Sequence, residues 1–121
     1  MEGDPSKLKE EGNEAFKAGK YGLALKKFSV AIELATSNQE KAIFLTNRSA
    51  VQFKMENFPA AIEDSTTAIE LAPNDPIALI RRALAYEITK QKDLAIIDIE
   101  LASTLDPNNV AIKKILLRLQ K

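Results

Sequence analysis

Lys9 and Asn13 stand four residues apart, so on a helix they share one face. Asn47 lies within Thr46-Asn47-Arg48-Ser49-Ala50, where Ile43, Phe44, Leu45, Val51 and Phe53 supply apolar contact and a polar pair looks out of place. Arg81 follows Asn47 by 34 positions, in similar surroundings. Polar groups recurring at a fixed period suggest a polar groove. A lysine, an arginine and two asparagine amides gathered there supply several N–H donors and a positive field. The ligand that answers such a set is a carboxylate, bound through charge-assisted hydrogen bonds. Phe16, Ala50, Phe53 and Lys54 fall on or beside the same faces one turn along. Phe16, Phe53 and the stem of Lys54 would take an apolar side chain of an extended peptide.

Other chemistries find little support. The chain has no histidine and no cysteine, so the commonest general base and the best nucleophile are absent, and no disulfide framework exists. No glycine-rich phosphate loop or metal-ligand spacing occurs, so catalysis, a cofactor and a metal are not expected. Glu10, Glu11 and Glu14, and likewise Asp98 and Glu100, read as solvated helix faces bracketed by lysines. Seventeen basic and seventeen acidic side chains cancel, which removes any global field for nucleic acid. Of Arg81-Arg82, one is expected in a structural ion pair. Asn47-Arg48-Ser49 matches the N-glycosylation sequon, but Met1-Glu2-Gly3-Asp4 is acidic with no apolar core behind it, so no secretory signal is expected and the sequon reads as coincidence. No apolar run approaches the ~18 residues of a membrane span. The expected compartment is the cytoplasm.

Helices must position these residues. Asp4-Pro5 starts one that runs to about Ala18, and Gly19-Lys20-Tyr21 turns into a second, from about Gly22 to Ala35, with Ala24, Phe28, Ala31 and Ile32 as its stripe. A third runs from Asn38 to Lys54. Asn57 caps a fourth, which stops at Ala72-Pro73, and Asp75-Pro76 starts a fifth over about Ile77–Thr89. A sixth covers about Asp93–Leu105, and Asn108-Asn109 opens the last. Ala61, Ala68, Leu71 and Pro73 recur 34 residues later at Ala95, Ala102, Leu105 and Pro107. Ala24, Phe28, Ala31 and Leu34 precede Ala61, Ser65, Ala68 and Leu71 by 37, which reads as a first loop three residues longer. Neither helix of a pair can bury its stripe alone, so stacked pairs with a capping helix are expected.

Gly12, Ala24, Phe28 and Ala31, then Ala61, Ala68 and Pro73, resemble the tetratricopeptide repeat. The resemblance implies an all-α, right-handed superhelical stack of three helix-turn-helix units, about 5–38, 42–75 and 76–109, closed by a capping helix at about 110–121. In such a stack the first helix of each pair lines a concave groove. Lys9 to Asn13, Thr46 to Ala50 and Arg81-Arg82-Ala83 resemble the two-carboxylate-clamp branch of that family, found in co-chaperones. Those domains grip the C-terminal Glu-Glu-Val-Asp of the heat shock protein 70 and heat shock protein 90 chaperones. By this resemblance Lys9, Asn13 and Asn47 hold the terminal carboxylate, and Arg81 contacts the peptide upstream. The family's fifth clamp residue is a lysine four positions before that arginine, and here Ile77 stands there. Losing that contact costs on the order of 2 kcal/mol, roughly thirtyfold in affinity, or changes the preferred last residue.

The expected function is therefore binding of an acidic C-terminal peptide by a monomeric domain, with no nucleic acid and no membrane insertion. The competing reading is a scaffold that binds an internal segment or a second copy of itself. The apolar face of the last helix (Ile112, Ile115, Leu116, Leu119) would serve self-association. The long first loop and the Arg-Arg-Ala helix look most like the N-terminal module of a myosin-folding chaperone, which makes the chain part of a longer protein.

Overall fold

The first and third helix pairs and the last helix each begin where a side chain satisfies a free helix-end N–H. Asp4 accepts from Ser6 N at 3.0 Å, Asp75 from Ile77 N at 3.0 Å and Asn109 from Ile112 N at 3.1 Å. The computed structural model describes residues 3–121; Met1 and Glu2, read above as part of a non-secretory start, lie outside them. The described residues form α1 (Pro5–Lys17), α2 (Tyr21–Leu34), α3 (Asn38–Lys54), α4 (Phe58–Leu71), α5 (Pro76–Ile88), α6 (Lys92–Leu105) and α7 (Val110–Leu119). No strand occurs among them. Among the described residues no helix is long and apolar enough to cross a membrane.

The turns within the three pairs are built alike. Gly19, Glu56 and Lys90 each take a left-handed φ (76°, 62° and 64°). The next N–H bonds back to the third-last helical carbonyl, Lys20 to Ala15, Asn57 to Gln52 and Gln91 to Tyr86, all at 2.8 Å. This is the Schellman closure, in which glycine is favoured because it has no Cβ to clash. Only the first turn carries that glycine, so the other two were less legible in the sequence.

These landmarks place the three extra residues of the first-to-second repeat offset. They do not lengthen the loop, which is Ala35–Ser37. They add a turn at the start of α3, which has 17 residues where α1 and α5 have 13. The physical reason is local capping. Ser37 Oγ accepts from Glu40 N at 3.0 Å, and Glu40 Oε1 accepts from Thr36 N at 2.8 Å, so helix begins as soon as the chain leaves α2.

Alanines at fixed heights let the helices close up. Ala24, Ala31, Ala61, Ala68, Ala95 and Ala102 are fully buried, with Phe28, Val51, Leu79 and Ile99 filling the space between them. Gly12 is required for a similar reason, since a Cβ there would meet the Phe28 ring at 2.7 Å. The last helix corrects an expectation. Ile112, Ile115 and Leu119 are buried against Leu79, Ala83, Ile99 and Ala102, and Leu116 packs beside them. The apolar face assigned to self-association is instead the cover of the third pair. A stack's final pair has no next repeat to shield it, and α7 supplies that shield.

α1 packs on α2, α3 on α4 and α5 on α6, and each second helix leads onto the next first helix. α1 also touches α3, and α3 touches α5, with no comparable contact between α2 and α4 or between α4 and α6. First helices lying closer together than second helices bend the stack, so α1, α3 and α5 form its inner wall.

Candidate peptide-binding groove

The five-residue stretch at Thr46 to Ala50 divides its side chains between core, staple and groove. Thr46 is buried and its Oγ1 donates to Ala42 O at 2.8 Å. Ser49 is buried and its Oγ donates to Ala61 O at 2.8 Å. Ser65, also buried, donates to the same carbonyl. Arg48 points to the outer helices. Its Nε and Nη2 bond both Asp64 oxygens at 2.6 and 2.8 Å, and Nη1 reaches Ser29 Oγ at 3.1 Å. One arginine on α3 thus fastens α4 of its own pair and α2 of the pair before.

The next repeat repeats the device. Arg82 bonds Asp98 bidentately at 2.8 Å through both Nε and Nη2, and Nη1 meets Thr66 Oγ1 at 3.2 Å. The carboxylate hydrogen bonds raise the pKa of both arginines against the opposing effect of burial. In the first repeat the same sixteen-residue spacing is filled with reversed sign, Lys27 to Glu11 at 3.3 Å. The expectation that one of Arg81-Arg82 makes an ion pair holds for Arg82. The expectation that Asp98 lies on a solvated face does not. Asp98 is 3% exposed, because Arg82 compensates its charge inside the stack. Asp64, equally buried, was not singled out in the sequence; its 34-residue match to Asp98 was the available signal.

Against these spent groups, the four polar side chains of the expected carboxylate site are unspent. Lys9, Asn13 and Asn47 are half-buried, Arg81 is exposed, and none has a side-chain hydrogen bond or ion pair among the described residues. Partial desolvation lowers the Arg81 pKa, with no carboxylate to offset it. On α1 the buried stripe is Leu8, Gly12 and Ala15. Glu11 flanks it on the side toward α2, and Lys9, Asn13 and Phe16 flank it on the other side.

The repeat ion pairs also give the helices a common register. Asn47 and Arg81 match, each preceding a stapling arginine. Asn13 matches Ala50, and Glu10 matches Asn47. The extra turn of α3 hid this by making the distance from α1 to α3 37 residues where the next distance is 34. Along α3 the inner stripe is Ile43, Asn47, Ala50 and Lys54, and along α5 it is Ile77, Arg81, Leu84 and Ile88, member for member 34 apart. Ala50 is buried and Ile77 is 51% exposed. Phe53, Lys54, Glu56, Phe58 and Ile88 line a cleft of about 390 Å³ at the C-terminal end of this stripe. Phe53 and Phe58 meet edge-on there at 5.3 Å. Phe16 packs on Tyr21 at 5.7 Å, beside the first turn. A second cleft, lined by Asp4, Lys7, Leu8, Glu11, Lys26, Lys27 and Val30, lies on the α2 side of α1, away from Lys9 and Asn13.

A tetratricopeptide repeat pattern matches residues 77–109. The solved Arabidopsis OM64 TPR domain shares 30% identity, with 95% of this chain and 93% of that one covered and a TM-score of 0.86. The chain belongs to the tetratricopeptide repeat family. Its superhelical stack is thus shared with known members. The first tetratricopeptide repeat domain of Spaghetti (RPAP3), solved bound to the HSP90 peptide SRMEEVD, is 28% identical, with 96% and 90% coverage and a TM-score of 0.88. Protein unc-45 homolog B of Xenopus laevis is 40% identical over 116 residues, 96% of this chain and 12% of that protein. The UNC-45 chaperone, solved for its molecular features critical for binding and folding muscle myosin, is 31% identical, with a TM-score of 0.83 over 96% of this chain and 13% of that one. The chain therefore spans about an eighth of the length of these longer relatives.

Proposed function

We propose that this tetratricopeptide repeat domain binds the acidic C-terminal tail of a partner protein, of the type that ends heat shock proteins 90 and 70. Lys9, Asn13 and Asn47 hold the terminal carboxylate. Arg81 takes an acidic group upstream, and the peptide continues over Ala50 toward the cleft at Phe53, Lys54 and Ile88, with Phe16 at its side. One observation carries this reading. On the inner wall Lys9, Asn13, Asn47, Lys54 and Arg81 are left without partners among the described residues, while Arg48 and Arg82 beside them are committed to carboxylates. These donors are open to water in the free domain and committed to no protein acceptor, so they are available to a carboxylate through charge-assisted hydrogen bonds. The bound HSP90 peptide in the Spaghetti domain supports the ligand class. The resemblance to unc-45 homolog B and the UNC-45 chaperone supports a myosin-directed chaperone as the parent protein.

The test is a fluorescence anisotropy titration with a labelled acidic C-terminal peptide. Asn47→Ala and Lys9→Ala should each weaken binding about tenfold, the loss of one charge-assisted hydrogen bond. Both residues are partly solvent-exposed, so the fold should persist. Unchanged affinity in both variants overturns the reading.

A further inference from the structure

The groove has a feature that a purely polar clamp does not need. Ile43 and Ile77 are 39% and 51% exposed, large for β-branched side chains in a folded domain. They hold the same register on contacting helices, one turn before Asn47 and Arg81 respectively. Their register partner on α1 is Ser6, so this row of the inner wall carries no charge. Asp75, the nearest acid in sequence to Ile77, spends its Oδ1 on the Ile77 N–H. The inner wall thus runs from an apolar row at Ile43 and Ile77, through donors at Asn47 and Arg81, to the apolar cleft at Phe53 and Ile88.

We infer that the domain selects chain ends whose last side chain is aliphatic. This inference rests on the chain-end reading proposed above. A carboxylate held at Asn13 and Asn47 places the last Cα one bond away, with the body of the peptide running toward Ala50 and the cleft. The last side chain then lies on the opposite side, about one helical turn (~5.4 Å) from the carboxylate, over Ile43 and Ile77. A valine, isoleucine or leucine there removes its own surface and that of two exposed isoleucines from water. An aspartate there loses hydration on a row that supplies no cation of its own, with Arg81, one turn on, engaged by the upstream acid. The selected partner is therefore a peptide with acidic residues upstream, for Arg81, and an aliphatic residue at its free C-terminus. A tail ending in aspartate, such as SRMEEVD, still binds through its terminal carboxylate and upstream acids, but more weakly.

The experiment is a set of peptides with one acidic body, ending in Leu, Val or Asp, each made as free acid and as C-terminal amide and titrated against the wild-type domain and Ile77→Lys. Leu- and Val-ending acids should bind wild type about tenfold more tightly than the Asp-ending acid. Ile77→Lys, a substitution at an exposed position, should reverse that order. An Asp-ending acid that matches or exceeds the aliphatic ones on wild type, with every amide weak, overturns the aliphatic preference and leaves the chain-end reading standing. Amides binding as tightly as their acids overturn the chain-end reading itself. Binding by none of the peptides overturns both.

Discussion

Asn47 and Arg48 are adjacent in sequence and separate completely in use. The arginine is held by Asp64 and Ser29 and secures three helices, whereas the asparagine makes no side-chain bond among the described residues and faces the inner wall. The contrast repeats at Arg81 and Arg82, and it leads to a prediction about cost. Partial desolvation lowers the Arg81 pKa with no carboxylate to offset it, so the folded state holds that charge slightly less favourably than the unfolded chain does, an effect kept small by the residue's exposure. The penalty applies at every pH below arginine's titration range and disappears only as pH rises through it. Arg81→Leu should therefore leave the thermal midpoint unchanged or raise it, while weakening the acidic peptide. A clear fall in the midpoint would show that Arg81 is a structural residue. The unspent character of Arg81 was legible in its spacing from Asn47. The role of Asp98 was not, because a carboxylate on a helix face reads as solvated until its partner on the neighbouring helix is known.

At the scale of the elements, helix starts were legible because aspartate, asparagine and proline announce them, and α3 spans the residues expected. The three extra residues of the repeat offset read as a longer loop, because Thr36-Ser37-Asn38 has turn composition and the capping that shortens the loop depends on Glu40 reaching back. The arginine staples make a sharper test of element packing. Asp98→Ala leaves Arg82, one-fifth exposed, without its partner inside the stack and should cost about 2–3 kcal/mol in chemical denaturation. Glu87→Ala breaks the Arg118 pair at 2.6 Å, but more than half of that arginine is in solvent, and the cost should be at most about 1 kcal/mol. Equal losses would mean that the staples are ordinary surface pairs.

Over the whole molecule, three pairs share one continuous core and α7 closes it. The periodicity of alanines carried that architecture into the sequence. The direction of the last helix's apolar face could not be read there, since an amphipathic helix has the same pattern whether it covers its own domain or another copy. Ile115→Asp distinguishes the two. With Ile115 8% exposed, the substitution should destabilise the monomer by several kcal/mol, by thermal denaturation. If the face served self-association, the variant would keep its midpoint and lose only a dimer in sedimentation. The groove depends on the same stack, because Lys9, Asn47 and Arg81 come from three different pairs and share a ligand only if α1, α3 and α5 stay in contact. Whether that ligand is a chain end is decided by isothermal titration of one acidic peptide as free acid and as C-terminal amide. The groove described here predicts a loss of at least tenfold on amidation, and a larger difference at low salt than at high salt. Equal affinities for the two forms would contradict it.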